Sequence, residues 1–281
     1  MTKIIDGRKL AKQIREDVKK SIQTNNLSIG LAVILVGEDP ASKLYVKLKR
    51  RAAEKAGINF HLYKLPTNIT EQEVLDAIKF LNQDEQITSI LVQLPLPKHL
   101  DQNKIIQTIN PQKDVDGFHP DNIKNFLNGQ TDFIPGLARG IELLIKEVTT
   151  DLTDKKLCVL ANSDTFTETL EKHFTNQGCL TTHCHLNEPD WIEKTKQTDI
   201  LIVAVGKPLL IKADNIKRGG IVIDVGTNRL TGHTIVGDVD YDDVVDQCAA
   251  ITPVPGGVGP MTIAMLLDNC VKLAHKKPRT D

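Results

Sequence analysis

Tyr45 and Lys49 stand four residues apart in a stretch, 41–56, that reads as a helix. Residues at that spacing share a helix face, so a phenol and an amine project together. Held in a half-buried pocket, such a lysine has its pKa lowered by desolvation. It then gives and takes protons near neutral pH. Taken alone, the segment reads better as a solvated face, because Lys43, Lys47, Arg50 and Arg51 surround Lys49. Three other segments shift that balance. Gln93 ends an apolar run, where a buried amide needs a hydrogen-bond partner, and a catalytic lysine would be one. Asp114 and Asp116 precede Gly117 in an irregular stretch flanked by Pro111 and by His119 and Pro120. Residues 253–260 form a stiff loop poor in side chains, which lets a flat ligand approach the backbone closely.

The elements that must position these groups alternate along the chain. Residues 8–23 carry Leu10, Ile14 and Val18 at helical spacing. Residues 29–36 are a nearly continuous apolar run, the mark of a buried parallel strand. Asp39 and Pro40 start the helix that carries Lys49, and Gly57 ends it. Leu44, Leu48 and Ala52 are expected to seat that helix on the sheet. A strand at 60–65, a helix at 71–82 and a strand at 87–94 follow. Beyond a helix at 137–148, a second series begins. It has strands at 156–160, 180–183, 200–205 and 221–225, with helices at 165–176 and 189–197. The last helix spans 260–274. Two βα series predict an α/β protein of two domains with parallel sheets.

Composition narrows the function class. The chain has 281 residues, with 40% hydrophobic and 25% charged residues, as in a soluble globular protein. A net charge of −1 gives no electrostatic case for nucleic acid or an anionic membrane. The five cysteines form no metal-like pair, and thiols in a reducing cytosol are expected. Cys179, His183, Cys184 and His185 are not expected to form a zinc cluster, because alternate residues of the strand they sit on face opposite sides. The first residues lack the apolar core of a signal peptide, and no apolar run reaches the roughly 20 residues needed to span a bilayer.

Together the motifs resemble the bifunctional methylenetetrahydrofolate dehydrogenase/methenyltetrahydrofolate cyclohydrolase (FolD) family. The resemblance runs nearly end to end, through VGEDPASKLYV, VQLPLP, KDVDGFHP, VAVGKP, VIDVGTNR and ITPVPGGVGPMT. It implies that Lys49 is the cyclohydrolase lysine, supported by Tyr45 and tuned by Gln93. It also implies that Asp116 binds the pterin and that Pro255, Gly256 and Thr262 belong to a folate-lining loop. The implied reaction is hydrolysis of 5,10-methenyltetrahydrofolate to 10-formyltetrahydrofolate. The implied architecture is a catalytic domain, 1–118 completed by 260–281, and a Rossmann-like NAD(P)-binding domain, 119–259. A cytoplasmic homodimer with a small-molecule folate substrate, no metal, no nucleic acid and no membrane partner completes the expectation.

The sequence departs from the family at the cofactor. The family's glycine-rich NADP loop is replaced by residues 161–169, where only Ser163 survives. Backbone needs glycine to approach a phosphate closely, and β-branched Thr167 disfavours positive φ. Asp164 and Glu168 add negative charge where the anion would bind. After the second strand, Leu186 and Glu188 replace residues that help hold a ribose 2′-phosphate. Leu209 stands where the family's Gly-Lys-Pro-Gly has its last glycine, and 135–140 lacks the family's threonine and second proline. Ser163 and Thr227 are left as cofactor-binding candidates. The expectation is therefore a cyclohydrolase with NADP binding and dehydrogenase activity impaired or lost. The alternatives are a fully bifunctional NADP-dependent enzyme and a non-catalytic folate-binding paralogue.

Overall fold

The structure is a computed structural model and describes residues 1–131, 133–230 and 234–276. The first half of the chain forms β1 (Lys3–Ile4), α1 (Gly7–Thr24), β2 (Gly30–Val36), α2 (Pro40–Ala56), β3 (Asn59–Leu65), α3 (Glu71–Gln83), β4 (Ser89–Val92), α4 (Gln102–Thr108), α5 (Pro120–Leu127) and α6 (Gly136–Lys146). The second half forms β5 (Lys156–Ala161), α7 (Asp164–Thr175), β6 (Leu180–Cys184), α8 (Trp191–Lys196), β7 (Ile200–Ala204), β8 (Ile221–Asp224), β9 (Asn228–Arg229), β10 (Ile235–Val236), α9 (Tyr241–Val244), β11 (Ala250–Ile251) and α10 (Val258–Lys276). Two compact units result: Lys12–Gly136 with Ile263–Asp281, and Met1–Ala11 with Leu137–Thr262. Among the described residues no helix is long and apolar enough to cross a membrane.

The unit built on Lys12–Gly136 has a parallel sheet in the order β3-β2-β4. Every residue of β2 is buried, because its two faces serve two cores. Leu31, Val33 and Leu35 pack with α1, α2 and α10, through residues such as Val18, Val46 and Leu267. Ala32, Ile34 and Val36 pack with Val74, Ile78 and Leu81 of α3 and Ile105 of α4. A strand covered on both faces loses the alternating pattern, which is why 29–36 reads as an apolar run.

Helix α2 starts and stops as its sequence dictates. The Asp39 carboxylate accepts from the Ser42 N–H at 2.7 Å, Pro40 opens the first turn, and Gly57 closes the helix at φ 91°. Its seat differs from the expected one. Leu44 and Leu48 are 45% and 39% exposed, and the helix rests on Val46, Ala53 and Ala56. The two alanines let its backbone sit close to the sheet. This roll leaves Tyr45 and Lys49 half-buried at the edge of the packed face.

The other unit has six parallel strands in the order β1-β11-β8-β7-β5-β6. The order reverses at β5, whose neighbours are β6 and β7. Open α/β sheets bind ligands at such a switch point, beyond the carboxyl ends of the strands. The division differs from the expected boundaries chiefly at the chain's beginning. Lys3 and Ile4 pair with Ala250 and Ile251, so residues 1–11 group with this sheet rather than with 12–118. Residues 119–136 group with the unit built on Lys12–Gly136, and the last boundary falls at 262/263, inside α10. Leu209 adopts φ +53°, a left-handed conformation that costs a non-glycine residue roughly 1–2 kcal/mol, and its N–H is held by the Gly237 carbonyl.

Candidate active site

Lys49 and Gln93 meet as the sequence predicts. The Lys49 ammonium donates to Gln93 Oε1 at 2.8 Å. Gln93 follows directly on β4, which ends at Val92 rather than running on to Leu94. Its N–H donates to the Ile34 carbonyl at 2.9 Å, and its Nε2 to the Leu94 carbonyl at 2.6 Å. The amide is thereby fixed with its oxygen toward the lysine. Burial lowers the Lys49 pKa, and the nearby Asp116 carboxylate opposes that shift. Tyr45 lies one turn before Lys49 on α2.

Asp116 is presented by a turn in which nearly every residue of 113–120 has a structural task. The Lys113 ammonium caps the end of α3, donating to the carbonyls of Leu81, Asn82 and Asp84 at 3.0, 2.8 and 2.8 Å. Buried Asp114 accepts from the N–H groups of Gly117 and His119 at 3.1 and 2.8 Å and from the Asn122 amide at 2.9 Å. Gly117 sits at φ +78°, and a Cβ there would come within 3.2 Å of Phe133 and Pro135. His119 caps α5, whose first residue is Pro120. The sequence contained a signal for Asp114: an aspartate three residues before a glycine is a common turn pattern.

Burial pushes the Asp116 carboxyl up to about 6, with Lys49 opposing the rise and Asp114 adding to it. A carboxyl whose folded pKa exceeds its unfolded value favours the folded state most at low pH. That contribution falls as pH climbs from about 4, the ordinary carboxylate value, to about 6. Asp116→Asn cannot ionise. It is expected to stabilise the protein at pH 8 by about 1–2 kcal/mol and to match wild type near pH 4. Urea unfolding at the two pH values checks this, and equal stabilities at pH 8 would refute it.

Pro255, Gly256 and Thr262 lie in the other unit. Their loop is stitched to residues 7 and 8. Arg8 donates its N–H to the Gly256 carbonyl at 3.1 Å and Nη2 to the Pro255 carbonyl at 3.2 Å. A Cβ on Gly7 would lie 1.9 Å from the Gly257 carbonyl oxygen, so the close approach requires glycine there. Thr262 Oγ1 donates to the Gly259 carbonyl at 2.8 Å.

The altered turn after β5 folds without the positive φ expected of a glycine-rich loop; no residue of 161–169 has one. Ser163 caps α7, accepting from the Phe166 N–H at 3.4 Å, and Thr167 is absorbed into the first helical turn. The Asn162 amide donates to the Val205 carbonyl at 2.6 Å, tying the end of β5 to that of β7 across the switch point. A pocket of about 500 Å³ opens there, lined by Asn162, Asp164, His185, Leu186, Asn187 and Lys207. His185 is held on both nitrogens, Nδ1 by the Ala161 carbonyl at 2.7 Å and Nε2 by Asp164 at 3.4 Å. Glu188 does not face the pocket as a bare charge, because Lys194 pairs with it at 2.5 Å and the His185 N–H donates to it at 2.8 Å.

The rest of the cofactor face keeps its scaffold. Asp238 accepts from the Val205 and Gly206 N–H groups at 2.7 and 2.9 Å and from the Asn228 amide at 2.8 Å. Thr227 is exposed beside Asn228. The pocket has the place of a dinucleotide site, but an exposed carboxylate, Asp164, stands at the helix start and one lysine, Lys207, offsets it. That balance fits a phosphate-bearing cofactor poorly. His183 and Cys184 face different partners, Glu171 at 2.9 Å and the Cys158 thiol at 3.5 Å, as alternate residues on β6 must.

The profile of the tetrahydrofolate dehydrogenase/cyclohydrolase catalytic domain matches residues 5–116, and that of the NAD(P)-binding domain matches 135–278. The chain belongs to the tetrahydrofolate dehydrogenase/cyclohydrolase family. Within this family it is similar to the bifunctional protein FolD of Nautilia profundicola, 46% identical over 274 residues, with 96% of each chain covered. It is also similar to the crystal structure of the FolD methylenetetrahydrofolate dehydrogenase/cyclohydrolase from Campylobacter jejuni, 42% identical. That match has a TM-score of 0.93 and covers 98% of this chain and 99% of that one. The Trypanosoma brucei FolD, complexed with NADP and an inhibitor, is 32% identical with a TM-score of 0.93 and 99% of each chain covered. These likenesses establish the two-domain α/β fold of the family, with its catalytic and NAD(P)-binding parts.

Proposed function

We propose that the protein works in one-carbon folate metabolism, hydrolysing 5,10-methenyltetrahydrofolate to 10-formyltetrahydrofolate, and that its dehydrogenase activity is impaired. The observation that carries the reading is the Lys49–Gln93 hydrogen bond of 2.8 Å at a lysine whose pKa is lowered by burial. Water adds to the electrophilic carbon between N5 and N10, and its proton passes to the Lys49 amine. The carbinol O–H then loses its proton as the formyl C=O forms and the C–N5 bond breaks, and N5 takes a proton back, so of water's two protons one ends on N5 and one is released. Gln93 holds the amine in place through both changes of charge. Asp116, ionised above about pH 6, accepts from the N–H groups of the pterin and fixes its orientation. Tyr45 lines the same face, and Pro255, Gly256 and Thr262 contribute the folate-lining loop. The enzyme acts as a cytoplasmic homodimer without metal.

A nicotinamide dinucleotide, were it bound, would accept hydride from methylenetetrahydrofolate, and Ser163 and Thr227 are the polar side chains proposed to contact it. The weak fit of the 161–169 turn supports the impaired reading. One observation favours full bifunctionality instead: Asp238 still organises the Gly206 loop and Asn228 as a working cofactor face would need. A single experiment separates the two. Hydrolysis of methenyltetrahydrofolate is followed beside calorimetric titration of NADP⁺ and NAD⁺. Catalysed hydrolysis with no saturable dinucleotide binding is expected, and micromolar binding of either dinucleotide would overturn the impaired reading.

A further inference from the structure

We propose that Asn269, on the chain's last helix, is a positioning residue for Asp116. This rests on the hydrolytic reading above. The Asn269 side chain is 1% exposed, and its Nδ2 donates to the Val115 carbonyl at 2.9 Å. That carbonyl belongs to the peptide unit whose nitrogen is Asp116's own. Fixing its plane fixes the direction in which the Asp116 side chain leaves the backbone.

The surrounding contacts leave this task to Asn269. The residues before the turn are held by β4: the Ile90 N–H donates to the Lys113 carbonyl at 2.7 Å, and the Val115 N–H to the Ile90 carbonyl at 3.4 Å. The residues after it are held by Asp114, through the N–H groups of Gly117 and His119. Between these anchors the Val115–Asp116 peptide would be free to tilt. Asn269 supplies the hold, and Gly136 leaves space for it, since a Cβ at that position would come within 3.2 Å of its Nδ2. Its neighbours Leu266, Leu267, Cys270 and Val271 are packed in the core against β2 and α2, which ties the register of α10 to the orientation of Asp116.

The test is a double-mutant cycle on the full-length protein, read as hydrolysis of 5,10-methenyltetrahydrofolate. Asn269→Ala is expected to raise KM about tenfold, the loss of one buried hydrogen bond, with a smaller change in kcat. In an Asp116→Asn background the same change is expected to alter kcat/KM by less than about twofold, because the residue it acts through is already disabled. An equal effect in both backgrounds, or wild-type kinetics for Asn269→Ala, would overturn the proposal. If Asn269→Ala gives no cooperative melt, Asn269→Leu, of similar size but with no donor for the carbonyl, is read by the same criteria. Lys49→Ala separates the two ideas. Activity surviving in it defeats the hydrolytic reading, whereas a dead Lys49→Ala beside a wild-type-like Asn269→Ala defeats only this proposal.

Discussion

Lys49→Ala is expected to lower the rate of methenyltetrahydrofolate hydrolysis by about a thousandfold, within the range that one general acid–base group contributes. The folded protein is expected to lose little, because the change removes a charge that burial already disfavours. Lys49→Arg is expected to be equally inactive. Guanidinium stays protonated at any pH the protein survives, so it cannot take the proton from water. It also cannot reproduce a single donor at 2.8 Å from Gln93 Oε1 without moving the amide. The pairing makes the result interpretable: a charge-only role would be rescued by arginine, and a proton-transfer role would not. Rates for both variants equal to wild type would remove the lysine from the reaction altogether.

The second large effect is on stability. Glu142, on α6, has a fully buried side chain ringed by Arg139 at 2.6 Å, Lys146 at 2.5 Å and His173 at 2.8 Å. Burial alone would raise its pKa. The hydrogen bonds from His173, Lys146 and Arg139 outweigh burial and hold it well below the ordinary carboxylate range. Glu142→Ala would leave three cationic or polar partners around an apolar methyl, and removing one partner of a buried ionic cluster costs about 3–5 kcal/mol. A drop in melting temperature on the order of 10 °C is expected. The pH dependence has a definite sign. A carboxylate with a depressed folded pKa stabilises fully above its unfolded value of roughly 4.3, and that contribution is lost as pH falls below it. Wild type and variant should therefore converge in acid and differ most at neutral pH. A melting difference under about 1 °C at pH 7 would show that the cluster contributes nothing net.

How far the sequence announced these features depends on the range of the interactions. The β2 run, the Asp39 and Gly57 caps and the Lys49–Gln93 pairing were legible, because each rests on local periodicity or on a polar group that must find a partner. The seat of α2 was not. Leu44 and Leu48 look like a core stripe, yet Val46, Ala53 and Ala56 take that place, packed with residues distant in sequence such as Val18 and Leu267. The pairing of β1 with β11 spans nearly the whole chain and involves two residues on each side, too few for any pattern. Glu142 carries no signal in the sequence, because its buried partner His173 comes from α7, 31 residues away. The turn at 161–169 was legible as altered, but its solution, a capped helix with Asn162 bridging two strand ends, depends on Val205.

The two discontinuous units carry a consequence for synthesis on the ribosome. The core around β2 needs Leu266, Leu267, Cys270 and Val271, which emerge after the whole intervening unit has been made. The six-stranded sheet likewise waits for residues 250 and 251 before residues 3 and 4 have an edge to join. During translation the nascent chain thus exposes an unfinished hydrophobic face on its first-made part for most of its elongation. Synonymous changes that slow decoding between residues 137 and 262 lengthen that exposure and are expected to lower the yield of folded protein without altering one side chain.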